Sequence, residues 1–270
     1  MVDQRLVQKA TASGQKPRTP GQSNPVLTSV SHVACTKCGL GKLCLPASMN
    51  QPQVETFEKI VHKSRPLHNG DHLFRVADDF SDIYAVRSGC FKTYVVDAAG
   101  REQVLGFHLA GELLGLDAIY QGAHVSNAAA LGTSSVCKLQ YNDVTTLAQQ
   151  IPELQNHMFR LLSRRISDLS AAAADHTADE RMAAFLLGLA ARFKARGYSS
   201  KEFNLAMSRA DIANYLRLAT ETVSRVLARF QKKSLIKVDR KLVELLDKEA
   251  LCKTAGTAAW CGCDARDMEL

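Results

Sequence analysis

The fold of the C-terminal part of the chain is indicated most clearly by the stretch Met207-Ser-Arg-Ala-Asp-Ile-Ala-Asn-Tyr-Leu-Arg-Leu-Ala-Thr-Glu-Thr-Val-Ser-Arg-Val-Leu-Ala-Arg-Phe230. Ser208 can cap a first helix, and Asp211, three residues later, suits the free amides of its first turn. A short break over Arg217–Thr220 precedes a second helix with an apolar inner face. Two short helices joined by a tight turn fit the helix-turn-helix plan.

The outward face of the second helix carries Glu221, Ser224 and Arg225 at positions i, i+3 and i+4. Arginine can bond guanine, glutamate can accept from cytosine, and serine can contact a base or a phosphate, so this face suits a DNA major groove. An ordinary solvated helix face is the alternative interpretation. Other polar and basic residues complete the expected DNA-contacting set: Arg209, Thr222, Arg229, Lys232 and Lys233.

The charge of the chain is concentrated around this segment. Between Arg181 and Lys241 there are 14 Lys and Arg residues against four acidic ones, a balance of +10 within a net charge of +7. The rest of the chain is therefore mildly acidic, and the basic segment favours a polyanionic partner. Lys237–Leu245 is typical of a small hairpin behind the two helices, which predicts a winged helix.

N-terminal to this unit, the periodicity after Pro152 is helical. Two adjacent apolar stripes would let one helix face both its own domain and a partner helix, although a purely intramolecular helix has the same pattern. The expected dimer interface consists of Met158, Leu161, Leu162, Arg165, Ile166 and Leu169. A further helix spans 178–196 and ends at Gly197.

The region from Leu67 to Tyr141 has short segments of β-branched and aromatic residues separated by turn residues. His72–Val76, Asp82–Val86 and Phe91–Val96 are predicted strands, and this spacing predicts an antiparallel roll or barrel. A short amphipathic helix is expected at 50–62.

The chain contains eight cysteines, three of which form the spacing C-x2-C-x5-C at Cys35, Cys38 and Cys44. The polar N-terminus does not read as a signal peptide, so a reducing cytoplasm is expected, where clustered cysteines indicate metal or redox chemistry. A [4Fe–4S] cluster needs four ligands, and zinc competes on equal terms from the residues alone. The candidates for the fourth ligand are Cys90, Cys137, Cys252, Cys261 and Cys263.

The C-terminal segment resembles the DNA-binding domain of the CRP/FNR superfamily, whose recognition helix carries the E-x-x-S-R pattern of Glu221, Ser224 and Arg225. Tyr84–Gly89 and Gly106–Glu112 are similar to the sensor domain of the same family, so the resemblance covers about residues 32–250. It implies an α+β fold with an N-terminal β-roll of the cyclic-nucleotide-binding type, a long dimerisation helix and a winged helix-turn-helix. The implied segments are a basic extension (1–30), the cysteine arm and roll (31–150), the dimerisation helix (151–176), the DNA-binding domain (177–250) and a tail (251–270).

Thr133–Cys137 is similar to the segment that carries the fourth ligand in the oxygen-responsive FNR branch. The resemblance implies a [4Fe–4S] cluster held by Cys35, Cys38, Cys44 and Cys137, which favours a DNA-binding homodimer in the absence of oxygen. It also implies an inverted repeat of TTGAT-type half-sites and contacts with RNA polymerase.

Several residues depart from the family pattern. Arg217 replaces a turn glycine, and Ala219 stands where a threonine is usual. Leu169 falls where oxygen-labile members have an aspartate that opposes its partner, from which we hypothesise a more persistent dimer in air. Arg101 replaces an acidic residue in a turn, Asp97–Arg101, that is expected to touch RNA polymerase.

Three other functions compete with this interpretation. A nucleotide-gated regulator would pair Gly111-Glu112 with a phosphate-binding arginine, and His124–Asn127 offers none. A zinc or thiol signal would use the same cysteines. A dithiol oxidoreductase would place Cys35-x-x-Cys38 at a helix start in a βαβ unit, whereas here the motif precedes a roll. We therefore expect no enzyme activity, and Cys261 and Cys263 have no assigned role.

Overall fold

The computed structural model describes residues 34–172 and 176–256, with the backbone alone over 168–172. The predicted extension (1–30), Cys261 and Cys263 lie outside these ranges. The elements are, in order, α1 (Gln51–Glu58), β1 (Val61–Lys63), β2 (His72–Phe74), β3 (Asp82–Ser88), β4 (Cys90–Val96), β5 (Glu102–Leu109), β6 (Leu113–Leu114), β7 (Asn127–Ala130), β8 (Ser135–Gln140), α2 (Tyr141–Gln150), α3 (Pro152–Ala172), α4 (Ala178–Ala195), β9 (Glu202–Asn204), α5 (Arg209–Leu216), α6 (Thr220–Lys232), β10 (Ile236–Asp239), β11 (Leu242–Leu245) and α7 (Lys248–Ala255).

The N-terminal domain is the predicted antiparallel roll. One four-stranded sheet has the order β1-β8-β3-β6, and the other has the order β2-β7-β4-β5. Alternate apolar side chains of both sheets meet between them, with Leu73, Phe91 and Leu114 among the fully buried ones. The strand β5 lies at an edge of its sheet, with β4 as its one strand neighbour.

The helix α3 follows the roll and presents its two apolar stripes to different surroundings. Leu154 is fully buried, and Met158 and Leu161 pack half-buried against the same core as α1 and α2. Phe159 and Ile166, two turns apart, are 59% and 65% exposed. No helix within the described ranges is both long and apolar enough to cross a bilayer.

The C-terminal domain confirms the predicted winged helix-turn-helix, with α5 and α6 beside a three-stranded sheet of order β10-β11-β9. The predicted cap is present, because the Asp211 amide donates to Ser208 Oγ at 3.0 Å and the Ser208 amide donates to the Asp211 carboxylate at 3.1 Å. The domain extends further than the expected boundary at residue 250. Leu251 and Ala255 of α7 are buried in its core.

The two departures in the turn have visible consequences. Arg217 ends α5 in the left-handed conformation, with φ of 56°, which a glycine would adopt without steric cost. Ala219 occupies the N-cap of α6 and offers no side-chain hydrogen bond to it. The helix-turn-helix geometry therefore persists, but its turn lacks two local stabilising features.

Candidate functional site

The cysteine arm is folded from short turns. The amide of Cys38 donates to the Cys35 carbonyl at 3.0 Å, and the amide of Cys44 donates to the Leu40 carbonyl at 3.0 Å. Thr36 Oγ1 donates to the Glu58 carboxylate at 3.3 Å, which ties the arm to the end of α1. These turns bring the three thiols of the arm to one side of it, against the roll.

The fourth predicted ligand, Cys137, lies on β8, opposite Ala85 of β3 on one side and Lys63 of β1 on the other. This register turns Cys137 toward the arm. The arm comes close at Gly111, where φ is +91° and an added Cβ would lie 3.0 Å from the Leu43 side chain. A glycine at this position permits the approach.

The four predicted ligands Cys35, Cys38, Cys44 and Cys137 line one cavity. Its walls are mostly apolar side chains, and among the described residues that line it Arg87 alone carries a charge. Cys90, another candidate, is buried in a different core, with its Sγ 3.7 Å from the Phe91 carbonyl. Cys252 lies on α7, in the other domain.

Burial raises the pKa of the Cys35 and Cys44 thiols to about 12 and that of Cys137 to about 11. The neighbouring thiols also raise them, whereas Arg87 acts in the opposite direction on Cys35 and Cys137, and Lys63 does so on Cys137. These three thiols are therefore protonated at neutral pH, and a metal centre would bind them by displacing their protons.

The four predicted ligands that line the cavity are all thiols. Among the described residues, no three His, Cys, Asp or Glu side chains converge closely enough to hold one metal ion. A tetrahedral zinc site needs four donors about 2.0–2.3 Å from one point. A [4Fe–4S] cluster is held by four thiolates on four separate irons, and four thiols with no competing carboxylate or imidazole line this cavity.

The cysteine arm also contacts the start of α3. Ser48 Oγ donates to the Glu153 carbonyl at 2.9 Å, and Gln53 Nε2 donates to the Glu153 carboxylate at 3.0 Å. The His157 ring of α3 is 3% exposed, and this burial lowers its pKa. Sequence reasoning missed these contacts because none of these residues belongs to a motif.

On α6, Glu221, Ser224 and Arg225 share an exposed face, as the spacing predicts. Two other members of the expected DNA-contacting set have partners within the domain. Arg229 forms an ion pair with Asp179 at the start of α4, and Arg209 is half-buried, with Nη2 donating to the Arg240 carbonyl at 3.4 Å. Among the remaining members, Thr222 is half-buried, whereas Lys232 and Lys233 are exposed.

The expected dimer residues divide between two surroundings. Met158 and Leu161 pack against the roll, whereas Leu162 is half-buried and Ile166 is exposed. The Arg165 guanidinium lies 3.5 Å from the Leu105 carbonyl of the same protomer. The side chain of Leu169 falls outside the described part of the chain, and Phe159 is an exposed apolar residue that the sequence analysis did not select.

The groups that a nucleotide would need are engaged elsewhere. Glu112 binds Arg192 and Arg196, each at 2.6 Å. Burial by itself would raise the pKa of Glu112, but the two guanidinium groups outweigh it and hold the pKa at about 2. Inside the roll, His124 stacks on Phe74 with ring centroids 3.8 Å apart.

The turn Asp97–Arg101 joins β4 and β5 at the surface. Arg101 binds Asp97 at 2.7 Å, so the positive charge that distinguishes this turn is paired within it.

A β-roll, a long helix with an exposed apolar face and a winged helix-turn-helix define a two-domain, DNA-binding transcription regulator. The Crp-like helix-turn-helix domain model matches residues 180–254, and the cyclic nucleotide-binding domain model matches residues 64–151. The chain belongs to the CRP/FNR family of regulators, and its relatives are not enzymes.

The chain aligns with its relatives over nearly their whole length. The chain is 45% identical to the transcriptional activator protein Anr of Pseudomonas protegens over 87% of this chain and 98% of that protein. It is 40% identical to the fumarate and nitrate reduction regulatory protein of Escherichia coli over 83% and 91% of the two chains. The structure of FixK2 from Bradyrhizobium japonicum has the same fold, with a TM-score of 0.65 at 24% identity, over 74% of this chain and 99% of that one.

Proposed function

We propose that the chain is an oxygen-responsive transcription regulator that binds a [4Fe–4S] cluster through Cys35, Cys38, Cys44 and Cys137. The observation that carries this proposal is that thiols from the arm and from β8, far apart in the sequence, line one cavity. When bound, such a cluster supplies irons that join the four thiolates and that oxygen attacks. Relatives named for transcription activation and for fumarate and nitrate reduction support the same function.

The charges around the cavity fit an anionic group. Four thiolates carry more negative charge than the net positive charge of an oxidised iron–sulfide core offsets, and the walls of the cavity are largely apolar. Arg87 in the lining and Lys63 across from Cys137 place two cations near that charge. They stabilise the thiolate form because opposite charges in a poorly solvated site attract strongly.

The contacts between the arm and α3 connect this site to dimer formation. Ser48 and Gln53 hold the first turn of α3, and the exposed side chains of Phe159 and Ile166 lie further along the same helix. An ordered arm therefore positions the helix face that a second protomer would cover. A ligand that binds the dimer-competent arrangement more tightly shifts the population toward it.

The dimer would read a TTGAT-type inverted repeat, with Glu221, Ser224 and Arg225 at base edges and basic neighbours at phosphates. Half-sites one helical turn apart, about 34 Å, match two recognition helices related by a two-fold axis. A protein with this partner acts in the cytoplasm, where bacterial DNA lies. A contact between Asp97–Arg101 and RNA polymerase stays a prediction.

The test is an absorption spectrum with iron and sulfide assays on protein purified without oxygen, repeated after air is admitted. We expect a brown protein that contains iron and sulfide, bleaches in air and then binds the inverted repeat more weakly. A colourless protein that contains zinc or no metal would contradict the proposal. Sedimentation of the apo-protein tests the Leu169 hypothesis, for which a monomer in air is the contrary result.

A further inference from the structure

The edge of the roll formed by β5 is covered by side chains rather than by another strand. An edge strand leaves amides and carbonyls without strand partners, and proteins commonly cover such edges. Here the covering groups come mostly from α4 and α5, two helices of the DNA-binding domain.

Asn214 of α5 makes the closest strand-like contact. Its Nδ2 donates to the Glu102 carbonyl at 2.6 Å, and its Oδ1 accepts from the Val104 amide at 2.6 Å. A side-chain amide has one donor face and one acceptor face in a plane, like a peptide group. Asn214 therefore pairs with β5 as a neighbouring strand would.

Two arginines, Arg192 of α4 and Arg196 just after this helix, continue the contact to the end of β5. Arg192 Nη2 donates to the Phe107 carbonyl at 2.6 Å, and Arg196 Nε donates to the Ala110 carbonyl at 2.6 Å. Both also bind Glu112 of the roll, whose single negative charge is shared between the two guanidinium groups. Charge-assisted bonds of this kind are stronger than neutral ones.

A third tie joins the beginning of the helix-turn-helix to the sheet. Lys92 of β4 bridges Glu102 at 2.8 Å and Asp211 at 2.9 Å. Asp211 is also the residue that completes the N-terminal cap of α5. The first turn of α5 is thereby fixed to the roll.

Apolar contacts fill the space between these polar ties. Phe107 of β5 lies 6.2 Å from the Phe185 ring and 5.2 Å from the Tyr215 ring, between centroids. One continuous core includes buried residues of β4, β5 and the DNA-binding domain. The recognition face of α6, with Glu221, Ser224 and Arg225, stays exposed in this arrangement.

We propose that the β5 edge fixes the orientation of the recognition helix relative to the roll and α3, and that Asn214 is a positioning residue for the reading of two-half-site DNA. Two recognition helices bind one inverted repeat tightly only if they are held at its spacing, because a loose connection lowers the effective concentration of the second. The docked contacts lie on α4 and α5 and leave the recognition face of α6 exposed, so they restrain the domain without covering that face. The inference rests on DNA binding by a dimer and not on the identity of the metal centre.

The experiment compares a complete inverted repeat with one isolated half-site, at low ionic strength, where phosphate contacts are strong. In Asn214→Leu, which keeps the size of the side chain but loses both hydrogen bonds, we expect about tenfold weaker binding to the complete site. Binding to the half-site should be unchanged, because the recognition face is intact. The matched control is Asn204→Leu, at an exposed position of β9 in the same domain. This variant should bind both DNAs as the wild type does.

Hydrogen exchange gives a second readout that DNA affinity does not affect. The Val104 amide should exchange faster in Asn214→Leu, because its acceptor is gone. If Asn214→Leu fails to fold, Lys92→Met removes another tie of the same interface, from a residue of the roll that lies outside the helix-turn-helix. Equal weakening at both DNAs, or at neither, would overturn the inference. Wild-type binding to the complete site, measured first, tests DNA recognition separately.

Discussion

The cysteine cavity and the β5 edge both join distant parts of the chain, but they are held together differently. The cavity has apolar walls, an arm of short turns and half-buried cysteines, and burial raises the pKa of the Cys35 and Cys44 thiols. The β5 edge has paired charges and bonded backbone groups over most of its length. The protein supplies the bonds where two domains must stay in a fixed relation. At the proposed cofactor site, the protein instead presents thiols that a bound metal centre would hold together.

The largest effect on metal content and DNA binding is expected when one thiol of the cavity is removed. In Cys137→Ser we expect almost no bound iron or sulfide after anaerobic purification, and at least a tenfold loss of binding to the inverted repeat, because a cluster needs four ligands. Iron and sulfide assays with fluorescence anisotropy on labelled DNA measure both. Cys90→Ala is the control, because Cys90 lies in the other core. Iron retention in Cys137→Ser at the wild-type level would remove Cys137 from the ligand set.

Substitution of two arginines on α6 distinguishes a role in base recognition from a role in holding the helix in place. Arg225→Ala removes an exposed guanidinium and should weaken binding by about 1–3 kcal/mol, or roughly 5- to 150-fold, mostly at one base pair. Arg229→Ala should cost less affinity and change little in sequence preference, because Arg229 is paired with Asp179. Binding assays on a series of single-base variants distinguish them. The reverse order of effects would show that Arg229 leaves Asp179 to read a base.

The charge pair at the β5 edge should make stability depend on pH, since the pKa of Glu112 is about 2 in the folded protein and about 4.3 in an unfolded chain. The stabilisation is complete above the unfolded value and is lost as pH falls through the folded one. The difference in Tm between the wild type and Glu112→Gln should therefore shrink from pH 5 toward pH 2. Glu249→Gln, in the exposed pair with Lys253, should show no such trend. A difference that is constant with pH would argue against the pair.

The smallest expected effect concerns the turn that Asn214 precedes. Ala219→Thr gives α6 a side chain that can cap its N-terminus, and it should raise the free energy of unfolding by about 1 kcal/mol. Ala228→Thr, on the exposed middle of the same helix, should lower it by a few tenths of a kcal/mol because threonine is a weaker helix former. Urea unfolding of the two variants checks the prediction. Equal changes in both would mean that the cap is not formed.

Local sequence patterns were enough to predict the features that depend on neighbours a few residues away. The cap of Ser208 and Asp211, the outward face of α6 and the alternating strands of the roll are local patterns, and the structure reproduces them. The cysteine spacing indicated a metal or redox site in the same way. Motif resemblance extended this to the family and to Cys137.

Which distant groups meet depends on the packing of separate elements. Spacing alone left five cysteines as candidates for the fourth ligand, and the register of β8 between β1 and β3 places Cys137 at the cavity. The pairing of Asn214 with β5 and of Arg229 with Asp179 has no signal in the sequence. The physical reason is that caps and periodicity are fixed by bonds within one element, whereas these contacts exist only after separate elements have packed together.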